Sequence, residues 1–172
     1  MIKKITLLAF AGLFFAATAT MAQKTAIIDT RYILDRIPEY KDAQKKLDAF
    51  SEQWQKEIDQ KNADLEKMYR DFEAEQVMLS EELKKKREDQ LFNKEKELRD
   101  LQKKRFGFEG DLFKKRQELV KPIQDRVYTA VQKIAQQRGY ELILDKSEGI
   151  TVIFADPKLD RSEDVLRELG VK

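Results

Sequence analysis

The sequence predicts a mainly α protein with a small β body. A long antiparallel helical hairpin is inserted into a small oligomerising β-sheet built from the two ends of the chain. Three observations predict this. Charged residues make up 38% of the 172, against about 25% in an ordinary globular domain, so long solvated helices suit the composition better than a thick core. Residues 40–106 contain neither Gly nor Pro and carry apolar residues at sevenfold spacing, which keeps one stripe on one helix face. Short β-favouring runs occur only near the two ends.

Residues 1–22 read as a secretory signal peptide. Lys3 and Lys4 supply the positive start, and Ile5 to Ala17 supply an apolar run too short for a comfortable membrane span. Thr20-Met21-Ala22 places cleavage before Gln23, with Ala17-Thr18-Ala19 as a competing site. No Cys follows, which excludes a lipoprotein anchor. The expected product is soluble and periplasmic. Without Lys3 and Lys4 it carries 32 basic and 32 acidic residues, so its overall charge gives no argument for nucleic acid.

That neutrality hides a pattern. Residues 39–79 carry a net charge of −4 and residues 80–138 a net charge of +6. Two antiparallel helices of opposite charge can pair side by side, although each exposed pair contributes under ~1 kcal/mol; two independently solvated faces are the plainer alternative. In the first segment Leu47, Trp54 and Met68 share a seven-residue row interrupted by Lys61, and Ile58, Leu65, Phe72 and Leu79 share another. In the second, Leu91, Leu98, Leu112 and Leu119 share a row interrupted by Arg105. The reversal falls near 77–82, with Ser80 as N-cap and Glu81 and Glu82 beside the positive end of the helix dipole. A helix over 39–79 reaches about 60 Å. The arm is read as residues 41–120 and the body as 23–40 with 121–172. Gly107, Gly110 and Pro122 interrupt the return helix; they are either flexible joints or relief where the arm meets the body.

The body is read from three runs. Lys24 to Thr30 centres on Ile27 and Ile28; Tyr140 to Asp145 and Ile150 to Ala155 form a strand pair joined by a loop at 146–149; Ser162 caps a closing helix that Gly170 ends. Three short strands bury little alone. Ile27, Ile28, Leu142, Leu144, Val152 and Phe154 therefore call for an oligomeric partner, or for cover from the closing helix.

The absent residue types exclude much chemistry. With no Cys and no His there is no disulfide, thiol, zinc-ribbon or imidazole site. No Gly-rich phosphate fingerprint is present. The reading assigns no catalytic residue, no cofactor and no metal.

The segments AIIDTRYILDRIPEY, RGYELILD and ITVIFADPKLDRSEDVLRELG, in an order of strand, helical hairpin, strand pair and closing helix, resemble the Skp (OmpH-like) family of periplasmic chaperones. That resemblance spans the mature chain. It implies a jellyfish-like homotrimer in which a small β body joins three subunits and three tentacle hairpins surround a cavity. It further implies an ATP-independent holdase for unfolded outer-membrane proteins. Met68, Phe72, Met78, Leu79 and Phe92 lie toward the arm tips and are candidate client contacts, with inter-helix packing as the plainer alternative. Lys84, Lys85, Lys86 and Arg87 form a basic tip, which either attracts acidic clients and membrane surfaces transiently or is a solvated helix start. The neutral mature chain departs from the basic character of well-known members. A different class also fits: an exported coiled-coil structural or adaptor protein binding one folded envelope partner.

Overall fold

The structure, a computed structural model, describes residues 23–147 and 152–171. The expected signal peptide lies outside the described residues, as do Ile150 and Thr151 of the expected last strand.

The elements run β1 (Thr25–Ile28), α1 (Thr30–Arg36), α2 (Pro38–Glu75), α3 (Glu81–Phe106), α4 (Asp111–Leu119), α5 (Lys121–Arg138), β2 (Leu142–Asp145), a single 3₁₀ turn (Pro157–Leu159) and α6 (Ser162–Glu168). Local chemistry explains their limits. The Asp29 side chain accepts the Tyr32 N–H and starts α1. Pro38 opens α2, at a position where its missing N–H is not needed. Gly139 ends α5 at φ 67°, in the left-handed region that suits glycine. The 38 residues of α2 extend about 57 Å.

β1 and β2 form a two-stranded parallel sheet in the register Thr25↔Leu142 to Ile28↔Asp145. Parallel neighbours need a crossover, and here the entire arm is that crossover. The expected strand pair after α5 is not formed: β2 pairs with β1, and residues 152–155 are not in a strand. β1, paired with β2 along one side, has no free edge left. Its second edge is taken by Asp160, bridged to Ile27, and by the Arg161 N–H, which donates to the Ile27 carbonyl at 2.8 Å. A strand without a ladder leaves its backbone groups to water. Ile153 and Phe154 are accordingly left outside the fold, Phe154 at 85% exposure.

Two hydrophobic clusters hold the molecule. The proximal one joins Ile28, Ile33, Leu34 and Ile37 to Ala43 and Leu47 of α2, to Ile123, Val127 and Ile134 of α5, and to Val165 and Leu166 of α6. The distal one, Ile58, Leu65, Leu91 and Leu98, closes the outer half of the α2–α3 hairpin. The closing helix α6 therefore packs on α1 and α5. Its buried Asp164 is fixed by Arg138 at 2.7 Å and by a contact with Arg167. Ser162 does not cap this helix: its hydroxyl accepts the Asp29 N–H at 2.9 Å, tying α6 to the end of β1.

Candidate functional site

The hairpin is zipped by charge as well as by apolar contacts. Glu39, Glu57 and Glu75 are spaced 18 residues apart, about five turns of 3.6, so they share one face of α2. Each meets an arginine of the returning chain: Glu39 with Arg126 at 3.3 Å, Glu57 with Arg105 at 3.0 Å and Glu75 with Arg87 at 3.6 Å. The outer pairs are solvated and each adds little to stability. Their value is register, because a slip of one helix on the other would break all three together.

Two of the expected contact residues lie inside this zipper. Met68 and Phe72 pack against the distal cluster and hold α2 to α3. The others lie nearer water. The chain reverses between Glu75 and Glu81, where Met78 is 80% exposed and Phe92, on the following helix, is mostly exposed, while Leu79 is half-buried. The tip exposes two further apolar residues, Val77 at 86% and Leu83 at about half. The signal for Leu83 is in the heptad arithmetic. The buried row of α3 runs through Leu91 and Leu98, and seven residues earlier it reaches Lys84, not Leu83. Lys84 is half-buried at the end of that row, and Lys85, Lys86 and Arg87 are exposed around it. Ser80 caps α3, its hydroxyl accepting the Leu83 N–H at 3.4 Å, and Glu81 and Glu82 occupy the first turn.

The other end of that row explains the apparent interruption at Arg105. Its guanidinium donates to Asp111 at 2.7 Å and to Glu57 at 3.0 Å and lies 5.0 Å from the centroid of the Trp54 ring. Trp54 stacks on Phe50 at 5.5 Å and meets Phe106 edge-on at 6.4 Å. The Asp111 hydrogen bond, opposed by burial and reinforced by Glu57, pushes the Arg105 pKa up, so it stays cationic throughout. Arg105 is thus a packed latch between α2, α3 and α4, not a break in the zipper.

Beside this latch the return helix breaks. The Gly107 N–H bonds the Lys103 carbonyl, the Gly110 N–H bonds the Gly107 carbonyl at 2.9 Å, and Glu109 sits at φ 55°. A Cβ on Gly107 would lie 2.3 Å from the Lys103 oxygen, and one on Gly110 would lie 2.8 Å from the Lys104 oxygen. Both glycines are therefore needed for close backbone approach. Gly107→Ala cannot keep this joint; we expect a loss of about 1–3 kcal/mol in urea unfolding, with a red shift of Trp54 emission as its cage opens. Trp54 is the sole tryptophan, so the emission reads this joint directly. Pro122 lies in the first turn of α5, after a second break at Val120. It initiates a helix there and does not kink one, which agrees with its missing N–H.

In the body, Ile27 and Ile28 are buried, Leu144 and Val152 are half-buried, and Leu142 and Phe154 are exposed. An apolar cavity of about 360 Å³, lined by Ile28, Leu34, Val127, Tyr128, Val131 and Ile143 among others, opens beside the sheet. Two carboxylates brace this end. Asp145 Oδ1 accepts from the Thr30 N–H at 3.1 Å and the Ser147 N–H at 2.9 Å; Asp160 pairs with Lys146 at 2.7 Å and accepts the Ser162 N–H at 2.8 Å. Burial pushes both pKa values up. The hydrogen bonds from Thr30 and Ser147 outweigh this for Asp145, and those from Lys146 and Ser162 outweigh it for Asp160, so both end below the ordinary 3.8. Over the interval between the folded and unfolded pKa values the unfolded chain binds more protons, so stability rises with pH there and is complete above it. Melting temperature should therefore fall as pH drops below about 4, more steeply in wild type than in Asp145→Asn, and stay flat from pH 5 to pH 8, about the range where histidine would titrate. Differential scanning calorimetry across that range checks both statements.

Among the described residues no three of His, Cys, Asp and Glu cluster to hold a metal ion, and no helix is long and apolar enough to cross a membrane. What the geometry defines is a helical-hairpin protein: a small α/β body carrying one long charged arm with an apolar tip. Residues 24–169 match the family of outer membrane proteins termed OmpH-like, and the chain belongs to that family. Its fold is similar to the crystal structure of an OmpH-like protein from Caulobacter crescentus, provisionally described as an outer membrane chaperone. The TM-score is 0.67 at 14% identity, over 88% of this chain and 86% of that one. A search of curated proteins finds no match.

Proposed function

We propose that this protein is an ATP-independent periplasmic holdase. In this reading residues 1–22 direct export, and cleavage before Gln23 releases the chain. Three copies join through the sheet, with Leu142, Leu144, Val152 and Phe154 at the contact and Ile27 and Ile28 supporting the strand from inside each subunit. The three arms enclose unfolded outer-membrane proteins until they insert, and the breaks at 107–110 and before Pro122 let the cavity adapt to client size.

The observation that carries the proposal is the arm tip. On a hairpin whose surface is mostly charged, Val77, Met78, Leu83 and Phe92 are exposed near the tip together with Lys85, Lys86 and Arg87. Isolated apolar residues on a surface are ordinary, but Val77, Met78 and Leu83 fall within seven residues at the reversal of the arm, with Phe92 about 13 Å further along α3. An unfolded barrel offers apolar strands that aggregate quickly. Several arms making weak apolar contacts give avidity while each contact stays short-lived, so release needs no nucleotide. Met adapts to varied partners. The basic residues add attraction for acidic client segments and allow transient contact with a membrane surface.

Light scattering after dilution of a urea-unfolded outer-membrane barrel tests this. Purified mature protein without nucleotide should suppress scattering at about one trimer per client. Full aggregation at a tenfold excess of trimer would reject the proposal. Stable capture of one folded envelope protein at fixed stoichiometry, with no effect on the unfolded barrel, would favour the adaptor role.

A further inference from the structure

We infer that the joint at residues 107–110 is a second client-binding site, built around Phe108, for unfolded segments that carry both aromatic and carboxylate side chains. This rests on the holdase reading and adds to it a site and a segment chemistry. Phe108 is 97% exposed although its backbone lies in a hydrogen-bonded turn. It is the second residue of a four-residue turn closed by the Gly110 N–H on the Gly107 carbonyl. The third residue, Glu109, is held at φ 55°, where glycine is usually required. The turn thus holds a phenyl ring in water at a point where the fold makes no use of it. Phe113, on α4, is also partly exposed, as is Phe106, whose ring meets Trp54.

The charge around it selects the occupant. Arg105 is committed to Glu57 and Asp111, and Lys115 to Glu118. Within six residues of Phe108 in the chain, Lys103, Lys104 and Lys114 are exposed and make no ion pair among the described residues, and they outnumber the one unpaired carboxylate, Glu109. Aromatic surface flanked by unpaired ammonium groups favours aromatic rings accompanied by carboxylates. Its position favours an extended polypeptide over a bilayer. The 26 residues of α3 separate the joint from the tip by about 39 Å, which an extended segment of roughly 12 residues spans. One segment can therefore engage both patches and gain avidity, whereas a flat membrane meeting the tip leaves the joint untouched.

The test uses the mature protein and fluorescein-labelled disordered 15-residue peptides, one pairing Phe with Asp and one pairing Phe with Lys, read by anisotropy. Phe108→Ser should weaken the Phe/Asp peptide about tenfold, equivalent to 1.4 kcal/mol, without moving the melting temperature. Lys103→Glu with Lys104→Glu and Lys114→Glu should weaken the same peptide and reverse the preference toward Phe/Lys. Wild-type affinity in Phe108→Ser, while wild type still protects the unfolded barrel, overturns the second site and leaves the holdase reading intact. Failure of wild type to protect the barrel defeats that reading itself. No peptide binding by wild type, or a loss in Phe108→Ser confined to anionic phosphatidylglycerol vesicles, also overturns the inference.

Discussion

Trp54→Ala is expected to lower stability by about 3–5 kcal/mol, the usual loss for truncating a buried Trp or Phe. Trp54 is buried, stacked on Phe50 and closed edge-on by Phe106, with the Arg105 guanidinium over its face. Truncation removes the floor on which Arg105 rests and opens a cavity where α2, α3 and α4 meet. Two aromatic contacts and one cation–π contact disappear together. The latch to Glu57 and Asp111 can persist only in a wetter setting, where ion pairs are weaker. Trp54→Phe keeps a ring and should lose about 1–2 kcal/mol. Urea unfolding followed by circular dichroism measures both. A loss below about 1 kcal/mol in Trp54→Ala would show that the arm does not depend on this joint.

The second large effect is on function with little effect on stability. Combining Val77→Ser, Met78→Ser, Leu83→Ser and Phe92→Ser should remove most protection of an unfolded barrel and weaken its capture by at least about a hundredfold, or roughly 2.7 kcal/mol. Because Val77 and Met78 are at least 80% exposed and Leu83 and Phe92 more than half exposed, the unfolding free energy should stay within about 1 kcal/mol of wild type. The control is Met68→Ser with Phe72→Ser. Those residues pack in the inter-helix seam, so their loss should lower arm stability first and protection only as a consequence. Equal protection by the tip variant and wild type would place client contact elsewhere on the arm.

The arm was legible in the sequence because long amphipathic helices write their faces in a seven-residue period. The buried residues Leu47, Trp54, Ile58, Leu65, Leu91 and Leu98 all lie on rows visible in the sequence. Charge asymmetry between the two segments likewise pointed to the cross-helix pairs, because the acidic and basic partners lie far apart in sequence but antiparallel in space. Arg105 was not legible as a latch. A charged residue on an apolar row reads as an interruption unless its partners are known, and Glu57 and Asp111 come from different helices.

The body is less legible, for a reason of length. A four-residue strand carries too little periodicity to choose its partner. The pairing of β2 with β1 is set by the crossover of the whole arm, not by any turn signal near Asp145. Ser162 has the local look of a helix cap because Ser before an acidic first turn fits that role, while the long-range Asp29 N–H that claims its hydroxyl leaves no trace in the neighbouring sequence. The exposed apolar residues Val77, Leu83 and Phe108 are not legible from periodicity, because they lie off the apolar stripes.

Native mass spectrometry of the mature protein, alone and after dilution of a urea-unfolded outer-membrane barrel without nucleotide, tests the central claim most directly. The account predicts a trimer that gains one unfolded client. A monomer or dimer that takes up no client would contradict it.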